Sequence, residues 1–138
     1  MIFMKDSFKQ KVFYADTDAY GVVWHGTYLR WLEAGRIYFC ENRGYTLIEL
    51  ENRDIVLPVA EINVKYKKSA KLNDTVLITT KLQEHSRCSL TFNQKITDES
   101  GQIVYVEATV KVVAINKGGK LYRNMPDEIL GMINASDF

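Results

Sequence analysis

Two aspartates and a histidine stand close together near the start of the chain, in a polar segment that precedes a long apolar one. One threonine separates Asp16 from Asp18, and His25 follows between a tryptophan and a glycine. A carboxylate can take a proton from water or attack a carbonyl carbon itself, and an imidazole can orient a substrate or a water molecule. Because these groups arrive together at the start of a predicted helix, we expect a reaction centre here.

The predicted helix supplies the second feature of this centre. Apolar residues recur at helical spacing from Tyr28 onward, with Thr27 as the expected N-cap and Gly44 as the expected C-cap. The first backbone N–H groups of a helix are unpaired and carry the positive end of its dipole. Gly26 has no Cβ atom, so a ligand can approach the backbone closely there. We therefore expect a backbone donor at His25 or Gly26 to face a bound polar group.

The rest of the chain predicts the sheet that holds this helix. Residues 8–14 alternate as a first strand, a short helix begins after Thr46, and Pro58 opens a region of period two that continues to about Arg123. A last short helix begins at Asp127. Helix and strands are segregated along the chain, which predicts an α+β fold. We expect a curved antiparallel sheet of five or six strands, wrapped around a buried central helix.

The composition is that of an ordinary globular protein. The chain has 138 residues, of which 46% are hydrophobic and 25% charged, and its formal net charge is +1. The length predicts one domain over residues 1–138, and the balanced charge favours neither nucleic acid nor an anionic membrane as a partner. No signal peptide or membrane-length apolar run is visible, and Cys40 and Cys88 lack metal-site spacing. We expect a cytoplasmic protein.

Several features favour a second copy of the chain as a partner. A single sheet laid on one helix leaves an open face and two bare edges, and the segment 102–115 is apolar almost throughout. Glu33 and Arg36 lie one helical turn apart, and they either pair with each other or satisfy an interface. Trp24 and Trp31 are expected in the core or in the same interface. We therefore expect a homodimer with its sheets side by side.

The segment from Tyr14 to Arg36 carries a specific signature, which reads YxDTDxxGVVxHxxYLxWxExxR. It resembles the signature of the 4-hydroxybenzoyl-CoA thioesterase family of hot-dog-fold acyl-CoA thioesterases. The form with histidine at position 25 is most similar to the broad bacterial acyl-CoA thioesterase branch. The resemblance implies a hot-dog fold, a homodimer or homotetramer with active sites at its interfaces, and hydrolysis of acyl-CoA thioesters without a metal or cofactor.

The resemblance also implies roles for individual residues. Asp18 matches the family's catalytic carboxylate, as a general base toward water or as the nucleophile. His25 matches a position where the 4-hydroxybenzoyl enzyme has a tyrosine, which argues against that aromatic group as the substrate. The backbone at His25 or Gly26 would stabilise the thioester oxygen as an oxyanion hole. Arg87 and Arg123 lie where related thioesterases place basic residues for the phosphates of CoA.

Alternatives remain open for several of these residues. Asp16 is better explained as a turn former than as a catalytic group. Asp16, Asp18 and His25 are also metal-ligand types, but no further clustered ligand accompanies them, and no metal site is predicted. A thioesterase acting on acyl carrier protein would have the same fold and carboxylate. A non-catalytic hot-dog scaffold that binds acyl thioesters or partner proteins would need neither Asp18 nor His25. Other basic candidates for the CoA phosphates are Lys65, Lys67, Lys68 and Lys120.

Overall fold

Helix α1 (His25–Glu41) packs across one face of a five-stranded antiparallel sheet. The computed structural model describes residues 5–135. The prediction that the chain has no signal peptide concerns the N-terminus, part of which lies outside these residues. The strands are β1 (Lys5–Lys11), β2 (Val59–Tyr66), β3 (Thr75–His85), β4 (Ser89–Asp98) and β5 (Val104–Val113). Their order across the sheet is β1-β3-β4-β5-β2. The shorter helices are α2 (Leu47–Asn52) and α3 (Asp127–Ala135), and a single 3-10 turn spans Tyr14–Asp16.

The buried stripe of α1 follows the predicted spacing. Tyr28, Leu32, Gly35 and Phe39 all face the sheet, and the Phe39 ring meets the Phe92 ring edge-on at 5.1 Å. Burying an aliphatic or aromatic side chain of this size contributes about 1.5–3 kcal/mol. Helix α1 lies so close to strand β3 at Gly35 that a Cβ atom there would lie 2.4 Å from the Thr80 hydroxyl oxygen. The other face of α1 is exposed in the single chain, so the predicted burial of the helix holds only for its sheet-facing side in the chain by itself.

A buried polar network lies under the middle of α1. The Gln94 side chain is fully buried, and its amide nitrogen donates to the Leu32 carbonyl at 2.9 Å and to the Thr80 hydroxyl at 2.8 Å. Its amide oxygen accepts a hydrogen bond from the Arg36 guanidinium at 3.0 Å. Burial lowers the pKa of Arg36 from its usual value. The predicted pairing of Arg36 with Glu33 is therefore not observed, because Gln94 takes that place.

Three predicted boundaries are wrong. The first strand is β1, not residues 8–14, because the Val12 N–H bonds the Asp74 carbonyl and the chain then turns. Helix α1 begins at His25, and Thr27 lies inside its first turn with its hydroxyl donating to the Asp16 carbonyl. Regular strand ends at Val113 and not near Arg123, where the chain contributes one isolated bridge between Ile115 and Leu121; the five strands agree with the predicted five or six.

The two edges of the sheet have different surfaces. Edge strand β1 carries exposed lysines at positions 5, 9 and 11. Edge strand β2 exposes apolar side chains on the same face of the sheet that α1 packs against, including Ile62 at 45% and Tyr66 at 48%. Strand β5 lies between β4 and β2, and most of its apolar side chains are already buried within one chain. Within residues 5–135, no helix is long and apolar enough to cross a bilayer.

Candidate active site

Asp16 connects the segment before the site to helix α1. Its buried carboxylate accepts hydrogen bonds from the Phe13 N–H at 2.9 Å and from the Arg30 guanidinium at 2.8 Å. Its carbonyl oxygen accepts the Trp24 N–H at 2.9 Å and the Thr27 hydroxyl at 3.1 Å. Both carboxylate oxygens are therefore in use within the chain, as a structural role requires. In the described part of the chain, no three His, Cys, Asp or Glu side chains form a group that could hold a metal ion.

Asp18 lies in a tight turn. Its N–H donates to the Val22 carbonyl at 2.9 Å, and its own carbonyl accepts the Gly21 N–H at 3.1 Å. Gly21 has φ +80°, a left-handed conformation that favours glycine. The Oδ1 atom of Asp18 accepts the Tyr20 N–H at 2.8 Å, whereas no residue within 5–135 bonds its Oδ2 atom. The turn thus fixes this half-buried carboxylate and leaves one oxygen available for chemistry.

The N-terminus of α1 presents two unpaired backbone donors. No acceptor between residues 5 and 135 takes up the N–H groups of His25 and Gly26. The His25 ring is exposed and lies 5.0 Å from the Trp24 ring, centroid to centroid. The Trp24 indole covers Gly26, because a Cβ atom at Gly26 would lie 2.2 Å from it. The missing side chain of Gly26 therefore makes room for Trp24, and only its N–H can serve a ligand.

A cavity of about 260 Å³ brings Asp18 and His25 together. Tyr28 and Tyr66 form part of its wall. The Tyr28 hydroxyl accepts the Ala70 N–H at 2.9 Å, and burial raises the pKa of Tyr28. The Tyr66 hydroxyl is 3.4 Å from the His25 carbonyl oxygen, to which it donates. These contacts hold the segment after β2 against the first turn of α1, so the cavity is formed within one chain.

Two lysines line the same cavity. Lys67 and Lys68 follow directly after β2. Lys67 is 3.2 Å from the Glu107 carboxylate, and this contact lowers the pKa of Glu107, mainly through its hydrogen bond. Lys68 has no carboxylate within ion-pair distance in the described part of the chain. Lys67 and Lys68 thus share the cavity with Asp18.

Arg87 and Arg123 lie together at the opposite end of the sheet. Ala114, just after β5, accepts the Tyr122 N–H and donates to the Cys88 carbonyl, each at 3.0 Å. The other end of β5 is tied to the cavity, because the Tyr105 carbonyl accepts the Lys67 N–H at 2.8 Å. Ala114 is nine residues after Tyr105 along the extended strand, so the two lie about 30 Å apart at the rise of a β-strand. Within one chain, the two arginines therefore do not reach Asp18.

A second cavity, of about 280 Å³, opens between α1, α2 and the start of β2. Its walls are mostly apolar, and Phe92 and Val112 of the sheet form part of them. Glu33 and Arg36 are its charged residues. His25 and Arg36 are eleven residues apart on α1, which places them on the same helix face about 16 Å apart along the axis. Both cavities therefore border the face of α1 that looks toward β2.

The sequence did not predict two features of this region. The apolar cavity forms where α1, α2 and the start of β2 pack against one another, and local sequence periodicity does not predict this packing. Lys67 and Lys68 are visible in the sequence directly after β2. Only the register of the whole sheet shows that they, and not Arg87 and Arg123, lie at the Asp18 cavity of the same chain.

The match to known families follows this geometry. Residues 12–133 match the model of the thioesterase-like superfamily, and the chain belongs to that family. Among its relatives is the acyl-CoA thioesterase YbgC of Haemophilus influenzae, which is 30% identical over 124 residues that cover 89% of this chain and 90% of the relative. The 4-hydroxybenzoyl-CoA thioesterase of a Pseudomonas species is 28% identical over 120 residues, or 82% of this chain and 85% of that protein.

Solved structures agree with the fold. A DHNA-CoA thioesterase from Staphylococcus aureus superposes with a TM-score of 0.84 at 26% identity, over 95% of this chain and 90% of that one. The predicted family and the predicted hot-dog fold are thus confirmed, with a sheet of five strands.

Proposed function

We propose that the protein hydrolyses acyl-CoA thioesters to a free acid and CoA. The observation that carries this proposal is the cavity in which Asp18 keeps one unbonded carboxylate oxygen beside the first turn of α1. The unpaired N–H groups of His25 and Gly26 are donors for the thioester oxygen, which becomes negative when the carbonyl is attacked. Family membership and the names of the relatives support the same reaction.

In this mechanism, Asp18 supplies the basic or nucleophilic oxygen. Its Oδ2 atom either removes a proton from water as that water attacks the thioester, or attacks the carbonyl carbon to form a mixed anhydride that water then hydrolyses. The thiolate of CoA leaves and takes up one proton: in the general-base route this is the proton that Asp18 removed from water, and in the anhydride route it comes from the water that hydrolyses the anhydride, so Asp18 returns to its carboxylate form. The exposed His25 ring, at the mouth of the cavity, orients the attacking water or the thioester. Each helix N–H that stabilises the developing charge contributes up to a few kcal/mol.

The second cavity is the proposed location of the acyl group. It lies on the same face of α1 as His25 and is mostly apolar, as an acyl chain or ring requires. Its volume of about 280 Å³ admits the end of a medium-length acyl group that extends along α1 from the thioester. One relative is named for a 4-hydroxybenzoyl-CoA substrate and another for acyl-CoA substrates in general. A substrate panel should therefore include both aromatic and aliphatic acyl-CoAs.

We further propose that two chains pair through β2. The exposed apolar side chains of this edge strand would be covered by a second copy, and its unpaired backbone groups would be satisfied. A twofold axis makes the two β2 strands antiparallel, which brings the start of one beside the end of the other. The Arg87 and Arg123 end of one chain then lies near the Asp18 end of its partner. The complete site would be shared between chains, with the arginines available for the phosphates of CoA.

The two unpaired thiols, Cys40 and Cys88, fit the cytoplasmic location that the composition predicts. In this proposal the chain acts as one domain on a small-molecule ester, with neither nucleic acid nor a membrane as partner.

The decisive experiment replaces Asp18. Asp18→Asn is expected to lower kcat on short acyl-CoAs by about 10²–10⁴-fold, because the amide can neither accept a proton nor attack. The matched control is Asp98→Asn, since Asp98 also lies in a turn, where its carboxylate accepts the Ile103 N–H at 2.9 Å. The control should keep its turnover. Near-wild-type turnover in a folded Asp18→Asn protein would contradict the proposal.

A further inference from the structure

We propose that Asp16 and Arg30 are positioning residues, which set the place of the Asp18 carboxylate relative to the start of α1 and so control turnover rather than substrate affinity. The inference rests on the proposed function for the reaction it affects. It concerns two residues that lie outside the cavity, since neither lines it.

Asp16 bonds both the loop that carries Asp18 and the helix that carries His25. Its carboxylate holds the N–H of Phe13, at the start of the loop, and the guanidinium of Arg30, in the second turn of α1. Its carbonyl oxygen holds the N–H of Trp24 at the end of the loop and the hydroxyl of Thr27. One buried residue thus closes the base of the loop and attaches that base to the helix.

The loop above this base is short and closed by several backbone hydrogen bonds, so Asp18 moves with it as one unit. Thr17 and Val23 form an antiparallel bridge, and the Asp18 N–H bonds the Val22 carbonyl. Tyr20 then holds one oxygen of the Asp18 carboxylate. A displacement at Asp16 is therefore transmitted to Asp18, while His25 stays with the helix. A shift of about 1 Å in such a pair of groups can lower the rate by about a hundredfold.

The opposite end of α1 provides a matched ion pair without a site. There the Arg43 guanidinium binds the Asp6 carboxylate with both of its terminal nitrogens, at 2.6 Å and 3.0 Å, and it stacks on the Phe39 ring. Arg43 is more deeply buried than Arg30, with 9% of its side chain exposed against 68%. Disrupting this second pair should destabilise the fold at least as much, without affecting the geometry of Asp18.

The experiment compares Asp16→Asn with Asp6→Asn in the full-length protein. Asp16→Asn is expected to lower kcat by about tenfold to a hundredfold with KM changed by less than about twofold, because the amide cannot serve both donors. Asp6→Asn should lower Tm by a similar or larger amount and leave kcat unchanged. Arg30→Gln should reduce kcat in the same direction, and Arg30→Lys should restore part of it.

A second readout does not depend on hydrolysis. Amide hydrogen exchange at Asp18 and Tyr20 should become faster in Asp16→Asn and stay unchanged in Asp6→Asn. Because Arg30 is exposed, Arg30→Gln keeps the test valid if Asp16→Asn fails to fold. Equal losses of kcat in Asp16→Asn and Asp6→Asn, or unchanged exchange at Asp18 in Asp16→Asn, would overturn the inference. If the wild-type protein hydrolyses no acyl-CoA, the proposed function fails, and the exchange data still decide the positioning role.

Discussion

The two ends of the sheet differ in what they present. At the end where α1 begins, a carboxylate, an imidazole and two unpaired backbone donors meet at one cavity. At the other end, Arg87 and Arg123 project from connections near Ala114. The first end carries the groups that chemistry needs, and the second carries cations that suit phosphates, yet about 30 Å of strand separates them. We infer that the complete site joins opposite ends of two chains.

The two edges of the sheet suggest how such ends could meet. The exposed lysines of β1 discourage another strand from pairing there, whereas the apolar β2 edge is open. Pairing through β2 about a twofold axis would bring the arginine end of one chain beside the Asp18 end of another. The chemistry of the edges therefore bears directly on whether the two ends cooperate.

The largest effect should come from separating the two chains. Ile62→Lys places a charge on the exposed apolar face of β2, where a single chain can leave it in water but a dimer would bury it. An unpaired buried charge costs at least about 3 kcal/mol, or more than a hundredfold in the Kd of the dimer. Sedimentation should show monomers, and activity at low protein concentration should fall in parallel. Ser7→Lys on β1 is the control, and a monomeric Ile62→Lys protein with full activity would refute the shared site.

Substituting each of the two histidines tests whether only the end of the sheet where α1 begins contributes to turnover. His25→Asn should lower kcat by about tenfold, because an orienting side chain at the cavity is lost. His85→Asn changes the chain's second histidine, which is exposed at the far end of β3, and should leave kcat unchanged. Equal effects of both substitutions in steady-state assays would remove the proposed role of His25.

A smaller effect is expected from the basic residues. Loss of a charged hydrogen bond to a phosphate costs at least about 1.5 kcal/mol, so Arg87→Ala and Arg123→Ala should each raise KM by at least about tenfold with kcat retained. Lys68→Ala is the competing variant, because Lys68 lines the cavity of its own chain. An increase in KM for Lys68→Ala alone would locate the nucleotide within one chain and argue against a site shared between opposite ends.

The smallest effect concerns the two thiols. Burial raises the pKa of Cys40 to about 11, so little thiolate is present at neutral pH and alkylation should be slow. Cys88 is half-buried beside Arg87 and should react first. Mass spectrometry of alkylated protein should show Cys88 modified, and CoA should slow this reaction a few-fold. Protection of Cys40 alone would argue against nucleotide binding at the arginine end.

Local signals predicted the parts of the site that lie close together in sequence. The signature from Tyr14 to Arg36 contains both Asp18 and His25, and the helical spacing of Tyr28, Leu32 and Phe39 fixed which face of α1 meets the sheet. The start of α1 was misplaced because Thr27 looks like an N-cap in sequence. Its hydroxyl instead bonds Asp16, a contact that only the folded loop creates.

The amino-acid sequence by itself determined the family, the order of helix and strands, and the pair of residues proposed to react. These depend on local periodicity and on a short motif, in which neighbouring residues suffice. Tertiary structure alone decided that Arg36 bonds Gln94, that Lys67 and Lys68 share the cavity with Asp18, and that Arg87 lies at the far end. Those outcomes follow from strand order and register, which arise from contacts between residues distant in the chain.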